Sequence, residues 1–153
     1  MNLPPFDRAI DEHGALVLRV LTRIVGGHDA EDCWQETFLA ALRAYPDLTP
    51  GSNVRGWLLT IAHRKAIDRL RARARSPVTD AVGATTVEPP DAVDDALWTA
   101  VRALPPKQRH AITYRYVADL PYRSIAALLG GSEAAARQNV RDGLRSLRQE
   151  VSR

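Results

Sequence analysis

Residues Val54–Arg75, VRGWLLTIAHRKAIDRLRARAR, change character halfway along. Trp57, Leu58, Ile61, Ala62, Ile67 and Leu70 recur at helical spacing and mark a buried face. From His63 onward the outward positions turn basic: Arg64, Lys65, Arg69, Arg71, Arg73 and Arg75 stand against one acid, Asp68. A helix that is apolar on one side and cationic on the other is either a solvated basic face or a surface that lies against a polyanion. The rest of the chain favours the polyanion.

Upstream, Pro4-Pro5 precede a helix expected over Phe6 to Val25, with Phe6, Ile10, Val17, Val20, Leu21 and Ile24 as its apolar positions. Gly14 is a weak point expected to divide it, and Gly26-Gly27 stop it. Asp29 is the expected N-cap of a second helix, with Glu31 and Asp32 in its first turn. Ala30, Cys33, Trp34, Thr37, Phe38, Ala41, Leu42 and Tyr45 follow the core spacing there. Asp32, Gln35, Glu36, Leu39 and Arg43 then point elsewhere, and Leu39 on that polar face is either a docking residue or a singly exposed leucine. Pro46 to Asn53, PDLTPGSN, is a loop. With amphipathic helices and no strand pattern, 1–75 reads as a helical bundle.

Ser76 to Ala92 lacks Lys and Arg and contains Pro77, Gly83, Pro89 and Pro90, so it reads as a linker over 76–92. With the next few residues it holds Asp80, Glu88, Asp91, Asp94 and Asp95; this acidic stretch is either idle or folds back on the basic helix. A second domain is expected over 93–153. Leu97, Trp98, Val101 and Leu104 form one stripe, and a helix from Lys107 to Val117 puts Ile112, Tyr116 and Val117 near one face. Then come a short helix, Tyr122 to Leu129, a Gly130-Gly131-Ser132 turn, and a longer helix from Glu133 to about Glu150. That order is a helix-turn-helix.

The last helix sorts its residues. Ala136, Val140, Leu144, Leu147 and Val151 line a core; Arg137, Arg141, Arg145 and Arg148 form a neighbouring stripe. With Ser132 as N-cap, Ala134, Ala135, Arg137, Gln138 and Arg141 project outward. Arginine suits guanine edges or phosphate, glutamine suits adenine edges, and alanines allow close approach to the groove floor. The competing reading is a surface helix held by charge pairs through Asp142. Arg123 is placed to contact phosphate.

Hydrophobic residues make up 45% of the 153, enough for packed cores. The net charge of +3 is modest and segregated along the chain. One cysteine, Cys33, excludes an internal disulfide and a cysteine-based zinc cage. His13, His28, His63 and His110 show no ligand spacing, and there is no phosphate loop or nucleophile elbow, which argues against an enzyme; no metal or cofactor is expected. MNLPPFDRAI has no apolar signal core and no run approaches the ~18 apolar residues of a membrane span, so a cytoplasmic protein without membrane insertion is expected.

Four segments together resemble the extracytoplasmic-function group of bacterial RNA polymerase sigma factors. They are Ala30–Phe38 (AEDCWQETF), Arg55–Ala62 (RGWLLTIA) running into Asp68-Arg69-Leu70-Arg71, Leu104–Arg109 (LPPKQR), and Tyr122 to Gly130. The resemblance implies two all-α domains. Region 2 docks on the β′ clamp of core RNA polymerase and opens the −10 promoter element. Region 4 places its helix-turn-helix on the −35 element and touches the β flap. An anti-sigma protein is often a further partner. On this resemblance Asp32, Gln35, Glu36 and Leu39 contact the clamp. Asp47 to Asn53 becomes the −10 specificity loop, and Asn53, Arg55, Trp57, Thr60, His63, Arg64, Lys65 and Arg69 meet −10 DNA. Arg123, Ser132, Ala134, Ala135, Arg137, Gln138, Arg141 and Arg145 meet −35 DNA.

Three positions depart from the family pattern. The recognition segment SEAAARQNV replaces the commoner Gly-Thr-Val-Lys-Ser-Arg-Leu across Ala134 to Val140. Pro121 stands where a capping Ser is frequent, which leaves Asp119 as the expected cap, and Trp34 is bulkier than the usual aliphatic residue. The alternative function is a stand-alone helix-turn-helix regulator, which needs dimer symmetry or an effector pocket.

Overall fold

Phe6–Val25 forms α1 in a computed structural model that describes residues 3–75 and 95–152, without the side chains of Asp95 and Val151. The linker expected over 76–92 lies outside the described residues, as does Asp94; Asp95 opens the first helix of the second unit. The chain divides into two compact units, Met1–Val87 and Glu88–Arg153. Every regular element among the described residues is helical.

The first unit packs α1 against α2 (Gly27–Ala44) and α3 (Val54–Arg75), each helix touching the other two. Gly14 does not divide α1. It is buried, and its carbonyl accepts a hydrogen bond of 2.8 Å from the Trp34 indole Nε1–H. A Cβ on Gly14 would lie 3.3 Å from Trp34 Cζ2. The glycine that weakens the helix in isolation is thus what admits the large indole. Tertiary packing overrides propensity here.

The seam of α2 is Ala30, Cys33, Thr37, Phe38 and Ala41, continued by Tyr45 in a short 3-10 turn, Tyr45–Asp47, at the head of the expected loop. Trp34 is half-buried at its edge. Leu42, expected in the core, is 51% exposed. It sits one residue, about 100° of helical rotation, past the fully buried Ala41. Aromatic rings close one end of the unit: Phe6 meets Tyr45 at 5.1 Å and Trp34 meets Phe38 at 4.5 Å between centroids. The Tyr45 hydroxyl donates to the Pro4 carbonyl. In α3 the central buried residues are Leu58, Leu59, Ala62, His63 and Ala66, while Trp57, Ile61, Ile67 and Leu70 flank them half-buried. Contact with two neighbours gives α3 a broad apolar sector, and His63 falls inside it rather than on the cationic side.

The second unit has α4 (Asp95–Arg102), α5 (Pro106–Ile112), α6 (Tyr122–Leu129) and α7 (Glu133–Val151); α7 packs on the other three. Leu97 lies at the edge of the α4 stripe, 37% exposed, while Val101 and Leu104 are buried. The helix expected through Val117 changes type at Thr113. Thr113–Val117 is a π turn, closed by Ala118 N–H to the Thr113 carbonyl at 3.3 Å. The wider turn alters which residues face inward. Tyr114 is fully buried, and Tyr116, expected near the core, is 60% exposed. Asp119 does not cap α6. It adopts a left-handed backbone (φ 53°), and the helix begins after Pro121 with no side-chain cap.

Gly130 ends α6 in the left-handed region (φ 74°), and its N–H returns to the Ala126 carbonyl at 2.9 Å. Ser132 caps α7, accepting from the Ala135 N–H at 3.0 Å. Ala136, Val140 and Leu147 are buried and Leu144 is half-buried; the Val151 side chain lies outside the described residues. Between them Gly143 is the point of closest approach to α5. A Cβ there would lie 2.4 Å from Ile112 Cδ1 and 3.5 Å from Leu104 Cδ1. The atom nearest is the end of the Ile112 side chain, which can shift for one methyl; a larger side chain cannot be accommodated that way, so Gly143→Leu is predicted to overpack this contact and lower unfolding free energy by about 1–3 kcal/mol. Denaturant unfolding followed by helical circular dichroism tests this. An unchanged midpoint would remove the close approach as a packing constraint.

Candidate partner and nucleic-acid surfaces

On the first unit, the outward side of α2 carries Asp32, Gln35, Glu36 and Leu39, all exposed, with Leu39 at 54%. Leu42 and Arg43 extend the same side. Sequence reasoning missed Leu42 because its spacing from Phe38 matches the core pattern. Two exposed leucines three residues apart on a helix make a short apolar strip within a polar face.

The α2–α3 junction is ionic. Asp29 lies in the first turn of α2, which starts three residues earlier than expected, after Gly26; it does not cap the helix. Its side chain, 10% exposed, meets Arg69 at 3.4 Å and pairs with Arg73 through the other carboxylate oxygen. Arg69 also reaches Glu36 at 3.5 Å. The negative charge near the start of α2 suits the helix dipole. Cys33 lies beside this network. Burial pushes its thiol up, with Arg69 opposing that shift, so the buried sulfur is a packing group.

The residues assigned by resemblance to −10 DNA thus fall into different settings. Arg64 is exposed, Lys65 and Arg55 are half-exposed, and Arg71 and Arg75 extend the cationic side beyond them. Arg69 is tied to α2, and His63 is 8% exposed. Neither is presented as a free outward cation, which corrects the reading of the sequence. Asn53 caps α3: its Oδ1 accepts the Gly56 N–H at 3.1 Å. The Thr60 hydroxyl donates to the Gly56 carbonyl at 2.9 Å, and Trp57 is half-buried, 6.2 Å from the Tyr45 ring.

On the second unit, Ser132, Ala134, Ala135, Arg137, Gln138, Arg141 and Arg145 are all exposed along α7, and Arg123 is exposed on α6. Three have local partners. Arg137 Nη2 donates to Glu133 Oε1 at 2.9 Å, Gln138 Nε2 donates to Asp142 Oδ1 at 2.8 Å, and Arg145 lies 3.9 Å from Asp142. The charge pairing of the competing reading is present, but exposed pairs of this kind are weak and leave the groups available to a stronger ligand. Sequence reasoning missed Arg115 and Tyr122. The Tyr122 ring has the Arg115 guanidinium at 4.6 Å and that of Arg137 at 5.2 Å from its centroid.

Residues 9–76 match the family model for sigma-70 region 2, and residues 94–147 match that for sigma-70 region 4. The chain is 32% identical over 151 residues to the ECF RNA polymerase sigma factor SigK of Mycolicibacterium vanbaalenii, covering 90% of this chain and 77% of that protein. It belongs to the ECF sigma factors. It is also 30% identical to the ECF sigma factor SigE of Mycolicibacterium smegmatis over 99% of its own length, and spans 63% of that relative. Among solved structures, the sigma factor RpoE of Bartonella quintana, determined with the anti-sigma factor NepR, shares the fold at a TM-score of 0.81. Sequence identity there is 20%, and each chain is covered to 96%. For an ECF sigma factor, the α2–α3 junction joins two faces of region 2, so its carboxylate has a stability role distinct from either face. Asp29→Asn is predicted to lower stability by about 1–3 kcal/mol, less than a fully buried pair because both arginines are partly solvated. Urea unfolding measures it. No change would mean that the junction is held by apolar packing alone.

Proposed function

We propose that this chain is an alternative sigma factor that binds core RNA polymerase and directs initiation at promoters carrying −35 and −10 elements. The observation that carries this reading is the pairing of two different surfaces in one ECF sigma chain. One is a Ser132-capped helix-turn-helix with an arginine stripe. The other is an α2 face bearing exposed Leu39 and Leu42. A stand-alone regulator needs the first and has no use for the second. The solved complex of the sigma factor RpoE with the anti-sigma factor NepR supports an anti-sigma protein as a further partner. Within this reading 1–75 is the core- and −10-binding domain, 76–92 the linker and 93–153 the −35-binding domain.

The α2 face, Asp32, Gln35, Glu36 and Leu39 with Leu42 added, contacts the β′ clamp. Arg64, Lys65 and Arg55 face non-template phosphates near −10, where unstacked bases cost a few kcal/mol each and are held by stacking and cations. Asn53, Thr60 and Trp57 shape that end of α3. On α7, Arg137, Gln138, Arg141 and Arg145 supply base and phosphate contacts beside Ala134 and Ala135, and Arg123 sets the register on phosphate. Region 4 also touches the β flap. The protein acts as an initiation factor without catalysis or a cofactor of its own. Binding core polymerase places its action in the cytoplasm. No helix among the described residues is long and apolar enough to cross a membrane.

The test is transcription by bacterial core polymerase on fragmented genomic DNA, with the purified chain, without it, and with the chain alone. Discrete start sites sharing two upstream elements are expected only when both are present. Core-independent binding to duplex DNA without starts would favour the regulator. Leu39→Asp with Leu42→Asp is predicted to weaken core binding by at least ~10-fold, about 1.4 kcal/mol, with helicity retained. Fluorescence titration of core reads this, and equal affinity would clear both leucines. Reversing charge at Arg64 and Lys65 is predicted to slow open-complex formation on duplex promoters more than on a pre-melted bubble. Equal slowing on both templates would contradict a role in melting.

A further inference from the structure

Arg137 differs from the other arginines of α7 in how it is held. Among the described residues Arg145 reaches only Asp142, at 3.9 Å. Arg137 has a carboxylate partner at 2.9 Å, Glu133, and lies over the Tyr122 ring at 5.2 Å. The ion pair alone is half-exposed and weak. A ring face and a carboxylate together restrain the guanidinium's direction more than either does. A long arginine side chain carries ~2 kcal/mol of rotamer entropy, and fixing its direction before binding lowers the cost of ordering it on a ligand.

The ring is itself braced. Arg115 lies 4.6 Å from the same centroid, and its Nη1 donates to the Leu120 carbonyl at 3.0 Å. The Leu120 N–H in turn donates to the carbonyl of fully buried Tyr114 at 3.0 Å. A continuous set of contacts therefore runs from the core, through the π turn and Leu120, to the first turns of α7. None of these residues except Arg137 was assigned a base contact from the sequence.

We propose that Tyr122 and Glu133 are positioning residues that orient the Arg137 guanidinium and thereby set base selectivity at one position of the upstream promoter element. The inference rests on the sigma reading above. Tyr122 acts through its π face, so its hydroxyl is dispensable. Glu133 acts through its carboxylate, from an exposed site where substitution leaves the core untouched.

The experiment is transcription with the full chain and core polymerase on a promoter library randomised across the upstream element, read as base enrichment at each position. Arg137→Ala identifies the position that Arg137 reads. At that position Tyr122→Leu is expected to lose ~2–5-fold selectivity, the range for an exposed cation–π contact, while Tyr122→Phe retains it. Glu133→Ala should lose selectivity at the same position and no other, which guards against a folding defect in the leucine variant. In an Arg137→Ala background neither change should alter selectivity further. A uniform fall in output with an unchanged base profile would overturn the inference while leaving the sigma reading intact. A rise in selectivity would overturn it too, because the ring would then be holding Arg137 away from the base. Absence of discrete starts with the wild-type chain would instead bring down the sigma reading, and this inference with it.

Discussion

The Asp29 carboxylate holds together the two demands placed on α3. That helix has to pack against α1 and α2, yet it is crowded with cations along its second half. A carboxylate at the start of α2, nearly shielded from water, draws Arg69 and Arg73 onto the neighbouring helix. The remaining cations, Arg64 and Lys65 foremost, stay on the outer side. Without an acid at this point, the apolar seam of Leu58, Leu59, Ala62 and Ala66 would have to seat the helix against its own charge. The same network reaches Glu36 on the outward face of α2, so that face and the cationic side of α3 share an electrostatic boundary.

The second unit solves its problem by backbone geometry. A five-residue π turn carries the chain from α5 to the helix-turn-helix, burying Tyr114 and releasing Tyr116. Asp119 then reverses direction with a left-handed backbone, and Pro121 opens α6. Ser132 satisfies an N–H at the start of α7 through its side chain, leaving the outward alanines and arginines clear of the core. Gly143 lets α7 lie close against Ile112. Each device is local, and together they aim one end of a long helix.

Much of this was legible in the sequence. The ends of α1, α3 and α6, the Ser132 cap and the arginine stripe of α7 follow from helical spacing and capping chemistry, because those signals are local. The failures share a cause: they depend on what lies across from a residue. Gly14 is a helix weakener until Trp34 is seen seated on it. Asp29 has the chemistry of a cap until two arginines from another helix claim it. Leu42 fits the core period but lies past the edge of the seam, and His63 stands among cations yet turns inward. The π turn adds a residue to a turn without any composition cue, so Tyr116 was expected inward where Tyr114 is buried instead, and the Arg115–Tyr122–Arg137 cluster went unseen.

The seating of Trp34 over Gly14 bears on how such a sequence can change over time. An alanine at 14 pushes on the indole and strains its hydrogen bond, while a smaller residue at 34 leaves a bare glycine in the middle of a long helix. The two positions share one contact, so a change at either alters what the other can hold. The pair therefore behaves as one heritable unit. Substitutions at the two positions are expected not to add, and a change at one is tolerated most readily when the rest of the first unit has stability to spare.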